Sequence, residues 1–156
     1  MEILITNECP KINVDIGEIE LQIGKILTTL DCNEHEISIL FIGDQGIRDL
    51  NHQFRGIDRP TDVLSFPQIS DDEPEPPGAP VLGDVAISLE TARQQSEDHG
   101  LSLKEELTLL LIHGILHLLG YDHEISAQEE ERMRKKTREL FEVIYPGKKL
   151  ADTCNF

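Results

Sequence analysis

Cysteine, basic residues and long apolar runs are all scarce in this chain, and each scarcity narrows what it can be. The three cysteines, Cys9, Cys32 and Cys154, are odd in number and widely spaced. That favours reduced thiols over a disulfide framework or a thiolate metal site. The apolar stretch over residues 107–119 is too short, and too interrupted by histidine, to span a bilayer. The start, MEILITNECP, lacks the basic stretch before an apolar segment that marks a secretory leader, so a cytoplasmic address is expected. There is no internal repeat. One domain over residues 1–156 fits the length, with enough chain for a sizeable core.

Positive charge is the sharpest shortage. Fourteen lysines and arginines stand against thirty aspartates and glutamates, giving a formal net charge of -16. That balance argues against a simple nucleic-acid binder, because affinity for phosphate backbones rests largely on lysine and arginine. The charge is uneven, however. Asp71-Asp72-Glu73-Pro74-Glu75 and Glu129-Glu130-Glu131 are dense negative runs, whereas Arg132, Arg134, Lys135, Lys136 and Arg138 form a basic block. A local basic groove is compatible with the global sign. A solvated helix face, paired with the preceding glutamates, is the favoured reading of that block.

Periodicity divides the rest of the chain. Residues 1–6 alternate as a first strand, and Ile16, Ile19, Ile23, Ile26, Leu27 and Leu30 recur at helical spacing behind Asp15. Residues 36–42 read as a buried strand. Asp44 is placed to cap a short helix carrying Ile47, Leu50 and Phe54. Residues 55–62 form a loop leading into a strand over 63–66. Residues 67–80, acidic and proline-rich, are expected to be a mobile surface loop, and 147–156 a tail. A strand over 81–87 precedes a helix from Ser88 or Leu89 towards His99, ended by Gly100. Ser102-Leu103-Lys104-Glu105 and Ser126-Ala127-Gln128-Glu129 are capping boxes for two further helices, the last reaching about Val143 before Pro146 stops it. This order predicts an α+β protein with a small, mixed and mostly parallel sheet of about four strands.

The chemistry sits in His113-Gly114-Ile115-Leu116-His117-Leu118-Leu119-Gly120-Tyr121-Asp122-His123. Residues four apart share a helix face, so His113 and His117 can offer ring nitrogens to one ion from adjacent turns. Gly120 can adopt the left-handed conformation that ends the helix, which lets His123 return to the same point. Three histidines leave one position of a tetrahedral zinc open, as in a catalytic site. A lone histidine on an apolar helix is usually a core residue bonded to a carbonyl. Two of them one turn apart in a buried helix each need a partner, and one ion satisfies both. The helix should therefore lie centrally and be covered on several sides.

The spacing H-x-x-x-H-x-x-G-x-x-H is shared with metzincin proteases, which carry a glutamate directly after the first histidine as general base. Here that position is Gly114, which cannot take a proton, and nothing in the sequence aims Glu124 at the ion. The wider pattern His113-Gly114-x-Leu116-His117-Leu118-x-Gly120-Tyr121-Asp122-His123 resembles the signature of the YbeY family of bacterial metal-dependent endoribonucleases. Two upstream stretches agree with it. One is Leu50-Asn51-x-x-Phe54-Arg55-Gly56-x-Asp58-x-Pro60-Thr61-Asp62-Val63-Leu64-Ser65-Phe66-Pro67, and the other is Leu82-Gly83-Asp84-Val85-Ala86-Ile87-Ser88.

The resemblance implies a zinc-dependent enzyme that cuts single-stranded RNA in ribosomal RNA processing, including maturation of the 16S 3′ end and ribosome quality control. Ribosome-associated proteins are then the expected partners. It also aligns Arg55 with a functionally important arginine, so Arg55 and His113 are the expected catalytic residues, and His113, His117 and His123 the metal ligands. A guanidinium fork matches phosphate oxygens in pairs. Arg59 is the understudy, and the competing reading of Arg55 is a salt bridge to Asp58 or Asp62. Asp62, Ser65 and Asp84 are expected to orient rather than catalyse. Asp122 is either a partner of an imidazole or a turn residue, and Tyr121 packs beside the site. With no clear general base, either water activated at the ion or the RNA 2′-hydroxyl attacks. Two alternatives remain open: a metzincin-like metal hydrolase or peptidase, and a non-catalytic ribosome assembly factor with a structural metal. Three imidazoles also bind nickel, copper or iron.

Overall fold

The computed structural model describes residues 2–68, 80–122, 124–148 and 150. Along the chain run β1 (Glu2–Asn7), α1 (Ile16–Thr29), β2 (Glu36–Ile42), α2 (Asp44–Arg55), β3 (Val63–Pro67), β4 (Val81–Ser88), α3 (Leu89–His99), α4 (Leu103–Leu118) and α5 (Ala127–Ile144). The four strands form one sheet in the order β1-β2-β4-β3. The β1-β2 and β2-β4 pairs are parallel, and β3 is an antiparallel edge. The α+β class, the mixed sheet and its strand number match the sequence reading.

Strand alternation sorts the sheet into two apolar faces. Ile37, Ile39 and Phe41 of β2 and Val85 and Ile87 of β4 join the main core with α1, α3, α4 and α5. Leu40 and Ile42 of β2, Ala86 of β4, and Leu64 and Phe66 of β3 face the other way, where Ile47 and Leu50 of α2 cover them. Helix α4 lies centrally, its sides packed on α1, α3, α5, β3 and β4. A buried polar cluster ties three of those helices together: Thr108 donates to Gln22 Oε1 at 2.6 Å, and Gln22 donates to the Tyr145 hydroxyl at 3.1 Å.

The Ser102 capping box forms in full, and at α5 the Ser126 side-chain cap forms. Ser102 accepts from the Glu105 amide while the Glu105 carboxylate accepts from the Ser102 amide, and Ser126 accepts from the Glu129 amide. The start of α2 differs. Its N-cap is Gly43, with Asp44 already inside the helix, and the acceptor for the Asp44 amide is Glu90 Oε1 of α3 at 2.9 Å. Asp44 instead accepts from the hydroxyls of Ser88 and Thr91, at 2.6 and 2.5 Å. The cap thus comes from another helix, which local sequence cannot reveal. The expected acidic loop lies largely outside the described residues, and the expected tail partly so. Lys148 pairs with Glu105 and Leu150 is buried, so the tail is anchored to the core at its start.

Candidate metal centre and pocket

Helix α4 carries the site because its sequence gives it two characters at once. Leu107, Leu109, Leu111, Ile112, Ile115 and Leu116 bury it, while His113 and His117 project from the side left half-covered. Their Nε2 atoms stand 3.0 Å apart, with ring centroids at 4.5 Å. Two imidazoles on a tetrahedral ion with Zn–N bonds of ~2.0–2.1 Å would have nitrogens roughly 3.3 Å apart. The two nitrogens therefore already converge to nearly the edge length of such a site. After Leu118 the helix ends: the Gly120 amide donates to His117 O, the Tyr121 amide donates to Leu116 O, and Gly120 adopts φ +92°. A left-handed turn of that kind favours glycine. His123 lies outside the described residues, and no cluster of three candidate ligands occurs among the residues that are described.

The residue after the first histidine faces away from this pocket. A Cβ on Gly114 would stand 2.6 Å from Val85 Cγ1, and Ser65 Oγ donates to Gly114 O at 3.0 Å. Gly114 is thus the contact point at which α4 lies against β3 and β4. A glutamate there would drive the helix off the sheet, so the peptidase reading loses both its base and the room for one. Ser65 holds α4 to β3 through that bond. Asp84, on the face of β4 that turns towards α2, does not line the pocket.

The two histidines open into a pocket of about 660 Å³ between α4, β3, the end of α3 and the start of α5. Arg55, the last residue of α2, lines it and is exposed. Among the described residues Arg55 makes no ion pair. Asp58, one of the two expected competitors, is bound by Arg48 at 2.9 Å, which holds its carboxyl below the usual range. Asp62, the other, accepts from the Val63 amide at 2.8 Å and from Thr61. The loop behind Arg55 is fixed by buried Asn51, whose amide donates to Arg59 O at 2.9 Å. Arg59 itself does not line the pocket.

Around the exit of α4, Asp122 takes the turn role, accepting from the Glu124 amide at 2.8 Å, and Glu124 lines the pocket beside it. The ring of Tyr121 is covered by Arg132, whose guanidinium carbon lies 4.2 Å from the ring centroid. Within the basic block, Arg132 pairs with Glu129, Arg134 with Glu130 and Lys136 with Glu139. This is the glutamate-paired face expected of that block, although Arg134 also lines the pocket.

Sequence reasoning passed over one pair in the pocket. Glu106 of α4, 1% exposed, accepts from or donates to His99 Nδ1 at 2.8 Å. Burial pushes the Glu106 carboxyl up, while His99 beside it works against the rise. The available signal was its position seven residues before His113, two turns earlier on the same helix face.

Fold and pocket together define an α+β protein whose pocket is lined by two histidines with converging ring nitrogens and by an arginine. The family model described as Endoribonuclease YbeY matches residues 4–145, and the chain belongs to that family. It is 40% identical over 146 residues to the protein named Endoribonuclease YbeY of Syntrophus aciditrophicus, covering 93% of this chain and 91% of that one. It is 46% identical over 142 residues to the protein of the same name from Persephonella marina, covering 91% and 92%. The solution structure of TM1509 from Thermotoga maritima is similar, with a TM-score of 0.64 at 26% identity, covering 95% of this chain and 99% of that one.

Proposed function

We propose that the chain acts as a single-domain, metal-dependent endoribonuclease on single-stranded RNA, ribosomal RNA foremost. Zinc is the resident ion, held by His113, His117 and His123. The observation that carries this reading is the approach of the two Nε2 atoms to 3.0 Å in a pocket that Arg55 also lines. The family's printed name supports the reaction class.

A divalent ion bound there supplies Lewis acidity towards a phosphoryl oxygen of the scissile phosphodiester. The chain's own residues do the rest. His113 and His117 keep their ring nitrogens converged because Ser65 and the tight Gly114–Val85 contact fix α4 on the sheet. Arg55 offers its fork to the non-bridging phosphate oxygens, where negative charge accumulates as the bond breaks. Among the described residues Asp58 and Asp62 are engaged elsewhere and do not pair with the Arg55 head.

The net charge of -16 makes long-range attraction of RNA weak, so engagement depends on the ion and on these local cations. No helix among the described residues is long and apolar enough to cross a membrane. A cytoplasmic address beside ribosomes and ribosome-associated proteins fits this reading. Metal analysis of protein purified without added ions, coupled to cleavage of a single-stranded RNA, tests it. One zinc per chain with cleavage that a chelator abolishes is expected, and chelator-insensitive cleavage would overturn the metal dependence.

A further inference from the structure

The pocket extends well past the two imidazoles. About 660 Å³ is more than one phosphate group fills. Glu106 lies seven residues before His113, which places it about 10 Å along the helix axis on the same face. Its carboxylate is almost wholly buried yet lines the pocket, with one oxygen 2.8 Å from His99 Nδ1. Gln95, one turn before His99 on α3, also lines the pocket, and Leu109 and Leu110 give it apolar wall. A buried carboxylate that reaches a cavity costs stability unless something uses it.

We propose that Glu106, held by His99 and assisted by Gln95, forms a base-recognition subsite that selects guanine in the nucleotide next to the scissile phosphate. This deepens the endoribonuclease reading and rests on it. An ionised carboxylate only accepts hydrogen bonds. Guanine is the one RNA base whose pairing edge presents two adjacent donors, N1–H and the N2 amine. Adenine and cytosine place a ring acceptor beside their amine, and uracil flanks its single donor with two carbonyls. An acceptor-only group therefore takes two hydrogen bonds from guanine and at most one from any of the other three. His99 Nδ1, 2.8 Å from one Glu106 oxygen, fixes the carboxyl group in place, and the Gln95 amide can donate to guanine O6. The leucines supply a surface for the base ring.

The test is fluorescence anisotropy with the purified holoprotein and 2′-O-methyl RNA hexamers carrying G, A, C, U or inosine at one position in a uridine background. The guanine hexamer should bind at least about fivefold more tightly than the A, C and U hexamers, with inosine, which lacks the N2 amine, in between. Glu106→Gln should erase the preference while leaving affinity for the all-uridine hexamer within about twofold. Equal affinities, or a guanine preference that survives in the variant, would overturn the proposal and leave Glu106 as a pin between α3 and α4. The inosine arm decides the matter without any variant, should Glu106→Gln fail to fold. Parallel cleavage of unmodified RNA separates the two readings. Guanine preference without cleavage removes the nuclease, and cleavage without guanine preference removes only the subsite.

Discussion

Gly114 and Val85 approach so closely that a single methyl group on the glycine would stand 2.6 Å from the valine Cγ1. Helix α4 is seated on the sheet at this point, one residue after its first histidine. Gly114→Ala should destabilise the protein by about 1–3 kcal/mol through overpacking, and Val85→Ala in the same chain should recover part of that loss. Urea denaturation of the two single variants and the double variant checks this. Strict additivity would show that the contact is not the cause.

Ser65 holds the same segment from β3, donating to Gly114 O at 3.0 Å. Ser65→Ala should cost about 1 kcal/mol, as for a single neutral hydrogen bond. Metal affinity should fall as well, because the helix segment carrying both imidazoles loses its anchor. Calorimetric titration with zinc measures that effect, and unchanged affinity would confine Ser65 to a stability role.

Arg55 is exposed and makes no ion pair among the described residues, so its replacement should leave stability within about 0.5 kcal/mol. RNA cleavage should fall by about 100-fold in Arg55→Ala, comparable to the loss of one transition-state donor. Arg55→Lys should restore only part, because an ammonium lacks the paired geometry of the guanidinium. Full activity in the lysine variant would contradict a forked contact.

Glu106 sets a pH dependence whose sign follows from its burial. Its folded pKa is raised above the unfolded value, chiefly by desolvation, with His99 opposing and Asp62 adding to the rise. The folded state therefore holds the proton more tightly. The contribution is fully present below the ordinary carboxylate pKa and is lost as pH rises through the raised one. Glu106→Gln removes this titration, so the melting temperature of the variant relative to wild type should rise between about pH 4 and pH 7. A relative fall over that range would mean that the His99 contact outweighs burial.

How much of this could be read from sequence depends on how far apart the interacting residues lie. His113 and His117 were legible because four residues on a helix is a local rule, and Gly120 because a helix end has a local signature. The four strands and the mixed sheet followed from local composition and the order of elements, although the strand order β1-β2-β4-β3 did not. Arg55 was singled out through family resemblance rather than through its chemistry, since an arginine in a loop has many uses. What escaped was long-range. Glu90 supplies the acceptor at the start of α2 from 46 residues away, so Asp44 was read as a cap when it is a helix residue that ties α2 to α3. The His99–Glu106 pair depends on α3 packing against α4, and the place of Glu106 on the face of His113 does not by itself announce its partner.

The most direct test of the central claim is the cleavage rate of a single-stranded RNA by wild-type and His117→Ala protein, each purified identically and supplied with zinc. If His113 and His117 hold the ion on which cleavage depends, the variant should lose activity by at least about 1,000-fold while remaining folded. Equal cleavage by His117→Ala would contradict the account.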